Sequence, residues 1–115
     1  MNPFAIYLLS WLTLHGYPLV QRDAVYYAAK SESGLRANAV SPTGHIGLFQ
    51  LDGTRKMGLV AYARTQGRSW TSIKMQLEYM DREWRAMPNS AAFFAAVDRQ
   101  TAARLFCRHY EGSIC

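Results

Sequence analysis

Apolar positions recur along this chain with a helical period that is broken once by a run of turn residues. Phe4 to Leu14 is apolar almost all round. Asn2 can cap this stretch, Pro3 suits a first helical position and Gly16 a stop, so a well-buried helix is predicted to about His15. A second helix is predicted from about Leu19 to Glu32. Val25, Ala28, Ala29 and Glu32 fall at i, i+3, i+4 and i+7 on it, and Gly34 supplies the positive φ that ends it. The pattern then changes, because Asn38, Ser41, Pro42, Thr43, Gly44 and Gly47 are turn chemistry. The runs on either side, Ala37 to Val40 and Ile46 to Leu51, either pair as a small hairpin or stay irregular.

Helical spacing resumes after this interruption. Asp52 is a plausible N-cap for a helix from Thr54 to about Gln66, stopped by Gly67, with Met57, Val60 and Ala61 facing inward. Ser69 or Thr71 opens a fourth helix whose Ile73, Leu77, Met80 and Trp84 form one stripe. Lys74, Glu78, Asp81, Arg82 and Arg85 lie beside that stripe as a solvated charged face. Pro88 closes this helix and Asn89 or Ser90 caps the next. Two short helices follow, Ala91 to Val97 and Thr101 to Tyr110, with Phe93, Phe94, Leu105 and Phe106 as core. The expected class is α+β, predominantly α: one domain, residues 1–115, with a small β-like or irregular lobe directly after the second helix.

Composition narrows the classes of function. Half of the 115 residues are hydrophobic and 13% are aromatic, which fits a globular chain with one modest core. The net charge of +5 favours a polyanionic partner such as nucleic acid, anionic lipid or an acidic cell-wall polymer. The Lys and Arg residues are scattered and make no stripe, so no nucleic-acid partner is expected. Phe4 to Leu14 has no basic residue ahead of it, is interrupted by Ser10 and Thr13, and is too short to span a bilayer. It reads as a core helix, not as a signal peptide or a membrane segment, and no export route is legible. No CxxC and no His/Cys cluster has metal-ligand spacing, so neither a metal nor a cofactor is expected. Cys107 and Cys115 either form one late disulfide, which suits an oxidising compartment, or remain free thiols.

The candidate chemistry centres on Glu32. Its carboxylate shares a stripe with three apolar residues and sits at the negative end of its helix dipole. Both effects disfavour the ionised form, so a raised pKa is expected, and a carboxylic acid that keeps its proton near neutrality is what a general acid needs. The alternative is a side chain that swings out to water or pairs with Arg36.

Three pieces in order, Glu32-Ser33-Gly34, Ala39-Val40-Ser41-Pro42-Thr43-Gly44 and Gly47-Leu48-Phe49-Gln50, resemble the core of the lysozyme-like lytic transglycosylases and goose-type lysozymes. The longer runs AVYYAAKSESGLRANAV, TRKMGLVAYARTQGRSW, MQLEYMDREW and AARLFCRHYE are similar to phage tail lysozymes, and the likeness extends from the first helix to about Glu111. The resemblance implies a lysozyme-like fold and cleavage of the β-1,4 bond between N-acetylmuramic acid and N-acetylglucosamine in peptidoglycan. Glu32 takes the place of the catalytic acid, Ser33 that of a residue holding the acid or the substrate, and Gln50 that of a glutamine on the cleft strand. Tyr110 resembles a late aromatic that approaches the acid. Leu51 stands where these lysozymes often have Trp, and Asp52 where a small polar residue is usual.

Glycoside cleavage commonly uses two carboxyl groups, roughly 5–5.5 Å apart for retention and 6.5–9.5 Å for inversion. Asp52 is the candidate base, against its reading as an N-cap. Glu78 belongs with the charged face and Glu111 with a frayed end. If none of them serves, the resemblance implies that Glu32 does both steps and that the substrate's own 6-hydroxyl attacks, leaving a 1,6-anhydro product. Ser41 and His45 of the polar loop are candidate sugar contacts, although a loop His is often merely solvated. Ser33 can equally bond its own helix backbone, and Tyr110, like Tyr26, Tyr27 and Tyr79, can equally be core. The expected function is therefore phage-borne peptidoglycan cleavage at the bacterial cell wall. Glycan strands are the expected partner, and other virion proteins are partners the resemblance allows. A non-catalytic wall-binding or virion structural module that keeps the fold is the alternative.

Overall fold

Ala24, Val25, Ala28 and Ala29 are fully buried on one face of a single helix, against which the first helix and the two C-terminal ones pack. In the computed structural model, which describes residues 2–112, that helix is α2, Leu19–Ser33. Around it lie α1 (Pro3–Leu14), α3 (Gly53–Thr65), α4 (Ile73–Ala86), α5 (Ser90–Ala95), α6 (Arg99–Leu105) and a π-helix, Phe106–Glu111, that continues α6. Buried Ala102 and Ala103 lie on α6, which packs against α2, and short side chains on both helices let the axes approach. Gln21 is buried on α2, and its amide donates to the Phe93 and Ala96 carbonyls at 2.9 Å each. A polar group inside the core is thereby satisfied, and the end of α5 is tied down.

Side-chain caps open three of the helices, α1, α4 and α6. The Asn2 side chain accepts from the Phe4 N–H at 2.7 Å, and that of Asp98 from the Thr101 N–H at 2.8 Å. The α4 cap is Ser72, which accepts from the Met75 N–H at 3.3 Å, and not Ser69 or Thr71, which bond one another. Met87 is extended ahead of Pro88, as the proline ring requires, and α4 stops at Ala86.

Two inner faces differ from expectation. α1 is not buried all round: Ala5, Leu8, Trp11 and Leu12 go inside, but Leu14 is 82% exposed because only one side of the helix meets α2 and α4. On α3, Leu59 and Ala63 are buried, whereas Met57 is 67% exposed and Ala61 is also outside. The reason is the α3–α4 seam. A Cβ on Gly58 would lie 2.2 Å from the Tyr79 hydroxyl, so the seam passes through Gly58 and draws Leu59 inward in place of Met57. Tyr27 is likewise exposed rather than core.

The lobe after α2 is irregular apart from two single bridges, Val40–Ile46 and Ile46–Leu51. Ile46 and Leu51 exchange two hydrogen bonds of 2.9 Å around the turn Gly47–Gln50, so Gly-Leu-Phe-Gln is a tight turn and not a strand. Gln50 takes φ 52°, in the left-handed region that a residue with a Cβ rarely occupies. Phe49 plugs this turn into the C-terminal aromatic cluster, 5.7 Å from the Phe106 ring and 5.8 Å from that of Tyr110. The buried Gln76 of α4 fixes the lobe from the other side. Its Oε1 accepts from the Leu48 N–H at 2.8 Å, and its Nε2 donates to the Ala37 and Trp70 carbonyls at 2.7 and 2.8 Å. Gly47 is required there, since a Cβ would lie 2.7 Å from Gln76 Oε1. Among the described residues, no helix is long and apolar enough to cross a membrane.

Gln76→Leu strips three backbone groups of their partner, those of Leu48 and Ala37 buried and that of Trp70 partly so. Each costs about 1–3 kcal/mol when left unsatisfied, so a loss on the order of 3 kcal/mol is expected. Urea denaturation checks this, and an unchanged midpoint would show that the lobe is held by something else.

Candidate active site

α2 ends in a left-handed turn: Gly34, at φ 65°, returns its N–H to the Ala29 and Lys30 carbonyls. Ser33 is buried there and its hydroxyl donates to the Ala29 carbonyl at 2.9 Å, a bond within its own helix. Arg36 Nε donates to the Ser33 carbonyl at 3.2 Å and so answers the negative end of the helix. Glu32 is half-buried on the last turn. The π-helix packs against α2 and ends on Glu111, followed by Gly112 at φ 73°. Two glutamates thus stand at the negative ends of two packed helices, each just ahead of a left-handed glycine.

Glu111 feels the consequence. Burial, and then the charge of Glu32, push its pKa up to about 9, while Arg55 opposes the shift. Arg55 comes from the first turn of α3, and it braces the whole corner. One guanidinium nitrogen donates to the Tyr110 carbonyl, and a second meets Glu83 Oε1 at 3.0 Å. The guanidinium carbon lies 4.2 Å from the centroid of the Tyr110 ring. The same Glu83 oxygen accepts from the Tyr110 hydroxyl at 2.8 Å. Burial and the Glu83 charge push Tyr110 well above its ordinary range and Tyr79 up to about 12, so both phenols stay neutral donors. Tyr110 is therefore buried and bound to Glu83; its neighbour Glu111 is the residue that senses Glu32.

The polar loop gathers a second group. His45 Nδ1 lies 2.8 Å from Thr43 Oγ1 and 3.3 Å from Ser41 Oγ, and Nε2 lies 3.2 Å from the Asp52 carboxylate. Ser41 Oγ also accepts the His45 N–H at 3.0 Å. Lys56 Nζ donates to the Gly44 carbonyl at 2.8 Å. Asp52 holds the N-cap position of α3, but its side chain makes no capping bond and reaches His45 instead. Gln50 Nε2 donates to the Gly47 carbonyl at 2.9 Å, which steadies its own turn. Glu78 accepts from the Tyr62 hydroxyl at 2.6 Å and lies 4.0 Å from Lys74, as a member of the charged face. The structure therefore brings Ser41, His45 and Asp52 together in one cluster and sets Glu111 where it feels the charge of Glu32. Cys107 is buried on the π-helix, and no described cysteine is a free thiol. Its proposed partner Cys115 lies outside the described residues. Among the described residues, no group of His, Cys, Asp and Glu could hold a metal ion.

Arg55, Glu83 and Glu111 are the parts of this site that sequence reasoning passed over. A signal for Glu111 was present, since Glu111-Gly112 repeats the pattern of Glu32-Ser33-Gly34: an acid at the wrong end of a helix, ahead of a glycine stop. No such signal marks Arg55 or Glu83.

A hollow lined by Leu9, Ser10, Thr13, Leu14 and Arg22 lies by α1 and the start of α2. Arg22 and Glu32 are separated along α2 by about 15 Å of helix rise, so this hollow is not the place where Glu32 would act. A family model described as phage tail lysozyme matches residues 5–114. No curated protein and no solved structure matches the chain.

The raised Glu111 carboxyl makes a signed prediction. The folded chain holds this proton up to about pH 9, while an unfolded glutamate releases it near 4.5. Stability is therefore lost as pH rises between those values, at about 1.4 kcal/mol per pH unit at most. Glu111→Gln should remove that loss: little change in melting temperature near pH 4, and a gain that grows towards pH 9. A gain of equal size at every pH would contradict the assignment.

Proposed function

The chain belongs to the phage tail lysozyme family, and from that premise we propose that Glu32 is the general acid and base that cleaves the β-1,4 bond between N-acetylmuramic acid and N-acetylglucosamine. Family membership carries the coarser statement by itself, a lysozyme-like, peptidoglycan-degrading function in phage-associated action on the cell wall. The finer reading is supported by one observation: the carboxyl that feels the charge of Glu32 is the half-buried Glu111, with one oxygen shut away from water, and not an exposed group across a cleft. Hydrolysis by two flanking carboxylates needs a base that can reach water on the far face of the sugar. Asp52 is engaged with His45 and Glu78 with Tyr62, which speaks against both in that role.

One acid suffices if the sugar attacks itself. Glu32 gives its proton to the bridging oxygen as the bond from C1 to that oxygen breaks, and the electron pair leaves with the N-acetylglucosamine oxygen. The 6-hydroxyl oxygen of the muramic residue then bonds to C1, and its proton returns to Glu32. The product is a 1,6-anhydro sugar and no water is consumed. Attack by water, with Glu32 as the base, is the second reading. Ser41, His45 and Gln50 edge the polar lobe as candidate sugar contacts, with Ser33 supporting the end of α2. We place this action in a virion or at lysis, beside other phage proteins. We also propose a Cys107–Cys115 bridge that tethers the chain just beyond Glu111.

Turbidity of purified cell walls tests the assignment. Glu32→Gln should lose at least about a thousandfold in lysis, in line with removal of a general acid, and should keep wild-type folding and wall binding. Full lysis by this variant would rule out Glu32 as the acid. Loss of lysis also excludes the alternative of a binding module without catalysis. Mass spectrometry of the released muropeptides should find the anhydro form, one water lighter than the hydrolysed product.

A further inference from the structure

The polar loop after α2 carries two hydroxyls that converge on one histidine ring. The loop is closed by the Ser41 N–H on the His45 carbonyl and the Gly44 N–H on the Ser41 carbonyl, 2.9 Å each. Within it Ser41 Oγ and Thr43 Oγ1 lie 3.1 Å apart, and they reach His45 Nδ1 at 3.3 and 2.8 Å. On the far side of the ring, Nε2 lies 3.2 Å from the Asp52 carboxylate. Both ring nitrogens are engaged, so His45 has neither left for a sugar.

The direction of these bonds follows from Asp52. A carboxylate can only accept, so in the neutral imidazole Nε2 carries the hydrogen and Nδ1 is left as an acceptor. Thr43, the nearer hydroxyl, donates to Nδ1. Ser41 Oγ already accepts the His45 backbone N–H at 3.0 Å, and its own hydrogen goes to Thr43 Oγ1 or to Nδ1. Each hydroxyl hydrogen has an acceptor inside the loop, and what Ser41 and Thr43 offer outward is lone pairs. The start of α3 holds the loop at two points one helical turn apart: Asp52 on His45, and Lys56 Nζ on the Gly44 carbonyl at 2.8 Å. Asp52 stands at the N-cap of α3 and yet makes no capping bond, so its carboxylate serves His45 and not the helix.

We propose that Asp52 is a positioning residue for the glycan: through His45 it sets the Ser41 and Thr43 hydroxyls as hydrogen-bond acceptors, and the polar loop takes a sugar hydroxyl that donates to them. Asp52 and His45 do not meet the sugar themselves. The inference rests on the reading that the polar lobe faces the glycan. Within that reading it moves Asp52 from a base for water to a support, and His45 from a sugar contact to the link between Asp52 and Thr43. No proton leaves any of these residues during the reaction. The device therefore acts on how the strand is held, in the ground state and the transition state alike, and not on the breaking of the bond.

Steady-state cleavage of soluble peptidoglycan strands tests this, at about pH 7.5, where an ordinary imidazole is neutral. The variants are Asp52→Ala, Asp52→Asn, Thr43→Val and Asp52→Ala combined with Thr43→Val, with thermal melts to confirm folding. Asp52→Ala should raise KM about fivefold, the worth of one well-placed hydrogen bond, and leave kcat within about twofold. Asp52→Asn keeps an oxygen that accepts from Nε2, so its KM should stay within about twofold of wild type. Thr43→Val keeps the shape of the side chain without the hydroxyl and should raise KM about as much as Asp52→Ala. Because Asp52 acts through Thr43, the double variant should cost no more than about twofold beyond Thr43→Val alone. A purely structural role for Asp52 would make the two costs multiply, and that outcome overturns the proposal. An unchanged KM in Asp52→Ala overturns it too, as does an Asp52→Asn no better than Asp52→Ala. A kcat that collapses in Asp52→Ala with KM unchanged would return Asp52 to the role of base. A fully active Glu32→Gln would instead remove the acid assignment and leave the comparison at position 52 standing.

Discussion

Two packed helices, α2 and the π-helix, each carry a glutamate in the last turn, and the repulsion that Glu111 feels from Glu32 is the constraint around which the site is arranged. A helix C-terminus is already negative, and here two converge. The fold answers with cations at the backbone. Arg36 bonds the Ser33 carbonyl at the end of α2, and Arg55 bonds the Tyr110 carbonyl near the end of the π-helix. Burial and the charge of Glu32 together favour a protonated Glu111. Glu111, which has one carboxyl oxygen shut away from water, takes that state.

The rest of the fold holds this corner in place. α2 reaches it through a seam of alanines, so its end is set by close contact along its length and not by a few long side chains. The C-terminal helices reach it through aromatic packing: Trp84 lies 5.4 Å from both Phe93 and Phe106, and Phe49 of the polar lobe enters the same cluster. α4 serves both sides. Gln76 at one end fixes the backbone of the lobe, and Glu83 two turns on takes Arg55 and Tyr110. A single helix therefore sets the position of the polar lobe relative to the two carboxyls. That relation is what a glycan strand lying between them would feel.

Much of this was legible in the chain before any coordinates. The helices, the glycine that ends α2 and the irregular lobe follow from local periodicity and turn chemistry, which act within a few residues. The stripe through Val25, Ala28 and Ala29 was correct because α2 is packed on that whole face. The inner face of α3 was misjudged because Gly58, with no side chain, is invisible to a hydrophobic pattern and yet decides where Tyr79 approaches. Glu111 was set aside as part of a frayed end. Its role depends on a π-helix, a conformation that packing of Phe106 and Tyr110 imposes and that no local spacing announces. It depends equally on a partner 79 residues earlier in the chain, since 111 less 32 is 79. Arg55 and Glu83 were hidden for the same reason: charged residues on exposed-looking helix faces reveal their burial only when the faces meet.

The central claim, that burial and the charge of Glu32 together hold the Glu111 carboxyl protonated, is open to direct observation. Carbon-detected NMR titration of the glutamate side-chain carboxyls, in the wild type and in Glu32→Gln, follows Glu111 without any substrate. The account requires Glu111 to titrate far above an ordinary glutamate and to move to lower pH when the charge at position 32 is removed. A Glu111 that titrates near 4.5, or one whose midpoint ignores the substitution at Glu32, would contradict it.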